Sequence, residues 1–234
     1  MLTDSAVLRD NNVAAENASY ATKAKRYIKE TDISRKSPYT IVGKRIADMA
    51  ISMFVIVFVL SWLIPLMAIV IWAETKSGPF FIQMRSGRYG EQYACIKFRT
   101  MFKNDEADTK AAVDGDSRIT KAGRLMRISG IDELPQFINV LKGEMSLIGP
   151  RPHMLEDNRA FRAIVEGYDK RHLVRPGITG LSQVKGFKGP IHNHDDLFQR
   201  VENDIRYVQH YSFSMDVKII LQTFRHIAGE LTKS

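Results

Sequence analysis

Residues 49–73 run without a charge between Asp48 and Glu74. As a straight helix this stretch is roughly 38 Å long at about 1.5 Å per residue, enough to cross a hydrocarbon core of about 30 Å. Pro65 lies inside the run and removes one backbone donor, which kinks or breaks a helix there. Basic residues stand on both sides: Lys44 and Arg45 before, Lys76, Arg85 and Arg88 after. Basic flanks favour the cytoplasmic side of a membrane. Two such flanks fit a segment that enters and leaves on one side; a kinked spanning helix fits the run and its proline equally.

Beyond this run the period changes. Residues 80–84 and 93–98 alternate as two strands, with 86–90 as the turn between them. Alternation places Lys97 and Arg99 on one face, opposite Phe98. Arg118, Lys121, Arg124 and Arg127 recur at threes and predict a short helix with a basic face. Leu134, Phe137, Ile138 and Leu141 follow a helical period, with Pro135 in the first turn, where a missing N–H costs nothing. Asp132 and Glu133 therefore stand at or just before a helix N-terminus, and a structural reading makes them its cap and first-turn acid. Residues 155–172 read as a helix with Phe161, Ile164, Val165 and Tyr168 on its apolar line. Loop is expected over 185–196. Two further amphipathic helices follow, one marked by Leu197, Val201, Ile205 and Val208, the other by Val217, Ile220, Leu221, Phe224 and Ile227. Their faces suit a core or a lipid surface.

These patterns predict an α/β fold, mostly helical with a small β-hairpin, anchored to a membrane by the apolar run. Residues 1–38 are polar and expected as a loosely ordered tail, with part of 21–28 able to form helix. Residues 39–76 are expected as the hydrophobic membrane segment, and 77–234 as the domain it anchors. Lysine and arginine exceed aspartate and glutamate by 34 to 26, a net charge of +8. Such a balance points to an anionic partner: nucleic acid, an anionic membrane face or phosphorylated substrates. Cys95 is the single cysteine, which excludes an internal disulfide.

The chemistry narrows by exclusion. His192 and His194 are too close to share one helix face and have no cysteine nearby, so a zinc site is not expected. No P-loop, dinucleotide loop or G-x-S-x-G elbow is present. Asp114-Gly115-Asp116 matches the short acidic pair with which metal-dependent glycosyltransferases hold a cation. The remaining set is Asp132 and Glu133 with Lys97, Arg99, Arg127, Arg151 and Arg175. Prolines on both sides of Arg151 fix its backbone, and Arg175 opens a second rigid turn, Arg175-Pro176-Gly177. Cations with a pair of carboxylates suit phosphoryl transfer. A carboxylate attacks phosphorus without a general base, and a second one can hold Mg²⁺.

Five segments in order carry a resemblance: Lys97-Phe98-Arg99-Thr100-Met101; Asp116-x-Arg118-Ile119-Thr120; Asp132-Glu133-Leu134-Pro135-Gln136; the run from Asn139 to Pro152 that ends Gly149-Pro150-Arg151-Pro152; and Arg175-Pro176-Gly177-Ile178-Thr179-Gly180. Together they resemble the bacterial sugar transferases, monotopic phosphoglycosyl transferases that begin exopolysaccharide and O-antigen assembly. The resemblance implies transfer of a hexose-1-phosphate from a UDP-sugar to a polyprenyl phosphate, such as undecaprenyl phosphate, with release of UMP. It implies Asp132 as the nucleophile that becomes a phosphosugar ester, Glu133 as the Mg²⁺ ligand, and Lys97, Arg127 and Arg151 as phosphate-handling residues. It also implies a re-entrant helix–break–helix at Pro65 in the bacterial inner membrane, with the catalytic domain on the cytoplasmic face. A homodimer is compatible with it, and nucleic acid is not an expected partner. The chain departs from the family pattern at Ile64, before the proline, at Gly130-Ile131, before the dyad, and at Leu181 and Gly186-Phe187, where Trp and a Gly-Arg pair are usual.

Overall fold

The computed structural model describes residues 39–104, 112–113, 115–191 and 193–232. The expected tail at 1–38, including 21–28, lies outside these residues, as do Asp114 and His192. A short π-helical entry, Tyr39–Gly43, leads into helix α1, Lys44–Thr75. Helical backbone continues through Pro65, and the irregular stretch is a π segment at Ile56–Leu60, just ahead of the proline. A proline cannot donate to the carbonyl four residues back, and a widened turn beside it is one way to absorb the ring. Lys76 closes the helix in the left-handed conformation.

Strands β1 (Phe80–Ser86) and β2 (Gln92–Phe98) form the expected antiparallel hairpin, with Phe81 opposite Lys97 and Phe80 opposite Phe98. Helix α2 (Lys121–Ser129) follows, its first turn capped by the Thr120 hydroxyl, which accepts from the Gly123 amide. A 3-10 turn at Ile131–Glu133 joins it to α3 (Gln136–Lys142). Strand β3 (Ser146–Ile148) pairs in parallel with β4 (Gly177–Thr179), two three-residue strands that read as rigid turns from sequence. Between them, the helix expected over 155–172 is two pieces. Helix α4 (Leu155–Ile164) stops, Gly167 turns at φ 72°, and a 3-10 helix runs Tyr168–Leu173. Helix α5 (Leu181–Val184) is short; α6 (His194–His210) and α7 (Phe213–Leu231) are long.

Helix α1 is a structural partner of the domain. Leu60, Leu63 and Ile71 are buried with Phe98 and Met126, and Ile131, Leu134 and Phe137 pack against the same cluster. Its two ends are tied down by polar contacts. Lys44 pairs with the buried Asp216 at 2.7 Å, and Arg45 donates to the Val140 and Leu141 carbonyls at the end of α3. Asp48 accepts from the Ser146 hydroxyl and the Leu147 amide. At the other end the Glu74 carboxylate accepts from the Ala122 amide at the start of α2.

The two proline turns dock back to back through glycine. A Cβ on Gly177 would lie 2.1 Å from the Gly149 nitrogen, and one on Gly180 would lie 2.1 Å from the Gly149 oxygen. No side chain fits there, so Gly149 and Gly177 set how close β3 and β4 come, and hence where Pro150-Arg151-Pro152 points. Gly177→Ala is expected to lower the unfolding free energy by about 2 kcal/mol or more, as overpacking against rigid backbone does. Gly229→Ala, in open space on α7, should leave stability unchanged or raise it by about 1 kcal/mol. Denaturant titration of both variants in detergent checks this, and equal midpoints would show that the contact between the turns is not required.

Candidate active site

Helix α2 ends at Gly130, whose φ of 72° turns the chain sharply into the 3-10 turn. Ile131 and Leu134 flank the turn and bury themselves against α1, which fixes Asp132 and Glu133 between two apolar anchors. Neither acid caps a helix: α3 starts after Pro135, with no side-chain cap. The structural reading of the dyad as N-cap and first-turn acid is thereby corrected.

Glu133 is buried, and its Oε1 takes two cations, Lys97 Nζ at 3.0 Å and Arg151 Nη2 at 3.0 Å. Burial opposes ionisation of Glu133, but the Arg151 and Lys97 charges outweigh it and hold the carboxyl well below the usual carboxylate range. Glu133 in turn raises the pKa of Arg151. Asp132 is placed differently. It makes no hydrogen bond or ion pair among the described residues, and burial first, then the charge of Glu133, raises its pKa. Lys97 and Arg127 oppose that shift. Two adjacent carboxylates are thus pushed in opposite directions, a sign of divided roles.

Arg151 is held from behind. Its carbonyl accepts from Arg171 Nη2, and Arg171 is itself fixed by Asp204 at 2.7 and 3.0 Å, both side chains being 1% exposed. The Ser182 hydroxyl donates to the other Asp204 oxygen at 2.7 Å. Arg127 donates to the Thr100 hydroxyl at 2.9 Å and lies beside Asp132.

Two of the expected phosphate ligands point elsewhere. Arg99 donates to the Gly78 and Phe80 carbonyls, bracing the start of the hairpin. Arg175 donates to the Gly143 carbonyl at the end of α3, and burial, then the charges of Arg88 and Arg45, lower its pKa. In the other direction, Lys188 was read only as part of a loop. Its charge lies close enough to Asp132 and Glu133 to favour both ionised forms. No spacing signal marks Lys188, because the segment 185–191 has no period.

Among the described residues no three His, Cys, Asp or Glu side chains converge on a point. A cation would be held at Glu133, with substrate oxygens completing its shell, as Mg²⁺ at phosphates is commonly held. The donor set fits a hard ion: Glu133 is kept ionised, and both its ion pairs fall on one oxygen. Asp116 is poorly suited to be a ligand. Arg118 grips both of its oxygens, at 2.7 to 3.1 Å, and holds its carboxyl below the usual range. Asp114 lies outside the described residues.

The chain matches the bacterial sugar transferase family over residues 39–230. It is 37% identical over 185 residues to the UDP-glucose:undecaprenyl-phosphate glucose-1-phosphate transferase of Klebsiella pneumoniae, covering 78% of this chain and 39% of that protein. Identity is 41% over 162 residues to the protein of the same name from Caulobacter vibrioides, covering 69% of this chain and 61% of that one. It is 34% over 198 residues to the exopolysaccharide production protein PSS of Rhizobium leguminosarum, covering 82% of this chain and 97% of that one. The chain therefore spans 39 to 61% of the two glucose-1-phosphate transferases. With the match running from the start of the π-helical entry to the end of α7, the chain belongs to the bacterial sugar transferase family.

Proposed function

We propose that this protein transfers a hexose-1-phosphate from a UDP-sugar to undecaprenyl phosphate through an aspartyl-phosphosugar intermediate, the first membrane step of exopolysaccharide synthesis. The observation that carries the reading is the division of the dyad: Glu133 is ionised and clamped by two cations, and Asp132 beside it has no partner among the described residues. An ionised Asp132 oxygen attacks the sugar-bearing phosphorus. The bond from that phosphorus to the bridging oxygen breaks, and UMP leaves with the electron pair. A phosphate oxygen of the acceptor then attacks the same phosphorus and returns Asp132 as a carboxylate. No water and no external acid are consumed. Arg127 and Lys97 face the charge that develops on the transferred group. Mg²⁺, held at Glu133, would supply further neutralisation of the diphosphate. A metal-dependent glycosyltransferase at Asp116 would release UDP instead, and the Arg118 clamp on Asp116 weighs against it.

Membrane placement rests on α1 and α7. One helix among the described residues, Lys44–Thr75, is long and apolar enough to cross a bilayer. A straight crossing would put its ends on opposite sides of the membrane. Here the same domain holds both ends with polar groups, the Val140 and Leu141 carbonyls at one and the Ala122 amide at the other. This supports a helix that lies in one leaflet and returns to the cytoplasmic face. Phe54, Phe58, Trp62, Ile69 and Trp72 on α1 stay exposed, as do Phe213, Leu221 and Phe224 on α7, giving lipid two apolar faces to contact.

Asp132→Asn should abolish transfer, since an amide cannot form the acyl phosphate. With donor alone, the wild type should release one equivalent of UMP and retain the labelled sugar phosphate on the protein. Near-normal turnover by Asp132→Asn would refute the nucleophile assignment.

The acid limb of the rate should reflect Asp132. Its pKa is raised, so activity is lost on lowering the pH before an ordinary aspartate would protonate. Glu133→Gln removes the neighbouring charge and frees Lys97 and Arg151 to stabilise an ionised Asp132. The residual activity of that variant should lose its acid limb to lower pH; a limb that stays in place assigns it to another group.

Topology is tested by a single cysteine at position 19 in a Cys95→Ser background. In intact cells it should resist an impermeant thiol reagent and react after permeabilisation. Labelling without permeabilisation would mean that α1 spans.

A further inference from the structure

Lys97 and Arg151 are both committed to Glu133, and Arg127 stands at Asp132 and Thr100. A leaving nucleotide phosphate needs cations that are not already committed. Lys188 makes no hydrogen bond or ion pair among the described residues, although it is only half-buried beside the dyad. It sits on a segment that is held firmly. Gly186 turns the chain at φ 96°, and the Phe187 amide folds back on the Ser182 carbonyl at 3.0 Å. On one side of Lys188, Lys185 Nζ donates to Asn203 Oδ1 at 2.7 Å. On the other, Arg200 Nη2 donates to the Gly189 carbonyl at 2.6 Å. Both partners come from α6.

Arg200 is an unusual residue to spend on a loop carbonyl. It is 5% exposed, its Nε has no partner among the described residues, and Arg151 is its foremost charged neighbour, ahead of Asp204 and Arg171. Burial, first, and those arginines lower its pKa to about 10. Such crowding of buried cations is costly unless an anion comes between them.

We propose that the 185–191 segment is a phosphate arm of this site: Lys188 is a catalytic residue that contacts the diphosphate of the nucleotide donor, and Arg200 is the positioning residue that holds it there from α6. The proposal rests on the transferase reading for its ligand and adds residues that reading does not use. Lys188 meets the nucleotide-side phosphate, so its charge neutralises the UMP that departs.

The probe is UDP, which carries the diphosphate and requires no choice of sugar. Binding is measured by calorimetry on the full chain in nanodiscs with Mg²⁺. Lys188→Met should weaken UDP binding about tenfold, the worth of one charge-assisted contact, and Lys188→Arg should restore most of it. Arg200→Gln should weaken UDP binding in the wild type and do little more in the Lys188→Met background, because both act through one contact. Wild-type affinity in Lys188→Met, fully additive losses in the double variant, or no binding of UDP by the wild type would each overturn the arm. If UDP binding depends on Lys188 yet no UDP-sugar yields UMP, the arm stands and the transferase reading fails.

Discussion

A carboxylate removed from water must be neutralised where it sits, and Glu133 is the residue on which this requirement falls. Lys97 reaches it from β2 and Arg151 from the Pro150–Pro152 turn, each at 3.0 Å on the same oxygen. Three segments far apart in the chain must therefore arrive together. Much of the remaining architecture can be traced to that demand. Gly149 and Gly177 let β3 and β4 touch backbone to backbone and so aim Arg151. The Arg171–Asp204 pair, 1% exposed, holds the carbonyl of that same residue. Removing one member of a buried pair leaves an uncompensated charge, which typically costs 3–5 kcal/mol, about as much as a cavity in the core. The ion pair at the site thus depends on a second ion pair behind it.

Helix α1 ties the site to the longest apolar helix among the described residues. Its Leu60, Leu63 and Ile71 share a core with Phe98, next to Lys97, and with Ile131 and Leu134, on either side of the dyad. An apolar helix that only anchored a domain would need no such contact. In the proposed membrane placement, a helix packed against the dyad ties depth in the bilayer to geometry at Asp132. A lipid-borne phosphate lies at a fixed depth, so the proposed acceptor and nucleophile would meet at a common level without a moving part.

What was legible in the sequence followed physical range. The hairpin, with its period of two, and α2, with its basic face, came out close to their observed bounds. The dyad and its cations Lys97, Arg127 and Arg151 were found together. Arg99 and Arg175 looked like those by type, Arg175 also by its neighbouring proline, but each spends its donors on backbone carbonyls. No local pattern separates an arginine that meets a backbone carbonyl from one that meets Glu133; the difference lies in which distant segment stands opposite. The parallel β3–β4 pair was hidden for the same reason, since three residues give no period and the partner is some thirty positions away. The break at Gly167 was missed because apolar spacing continues across it from Phe161 to Tyr168. Lys188 carried no signal, being one lysine in an aperiodic segment.

The unequal treatment of the two acids has an energetic sense in the proposed reaction. A buried, unpaired carboxylate is an unfavourable species, and its raised pKa records that. Attack on phosphorus turns this carboxylate into an ester and removes its charge from the poorest environment in the site. In that reaction the charge released appears on the leaving phosphate, which is mobile and can reach solvent and the proposed Lys188 arm. Burial therefore favours the first step by destabilising the reactant, while Glu133, ionised and clamped, keeps the surrounding potential from changing as Asp132 is consumed. Were Asp132 as well paired as Glu133, its ion pairs would have to break before attack, and the same cations would stabilise the reactant as much as the transition state. Interactions that are equal in both states give no acceleration. An acid left without a partner, beside one that has two, is the arrangement that avoids this.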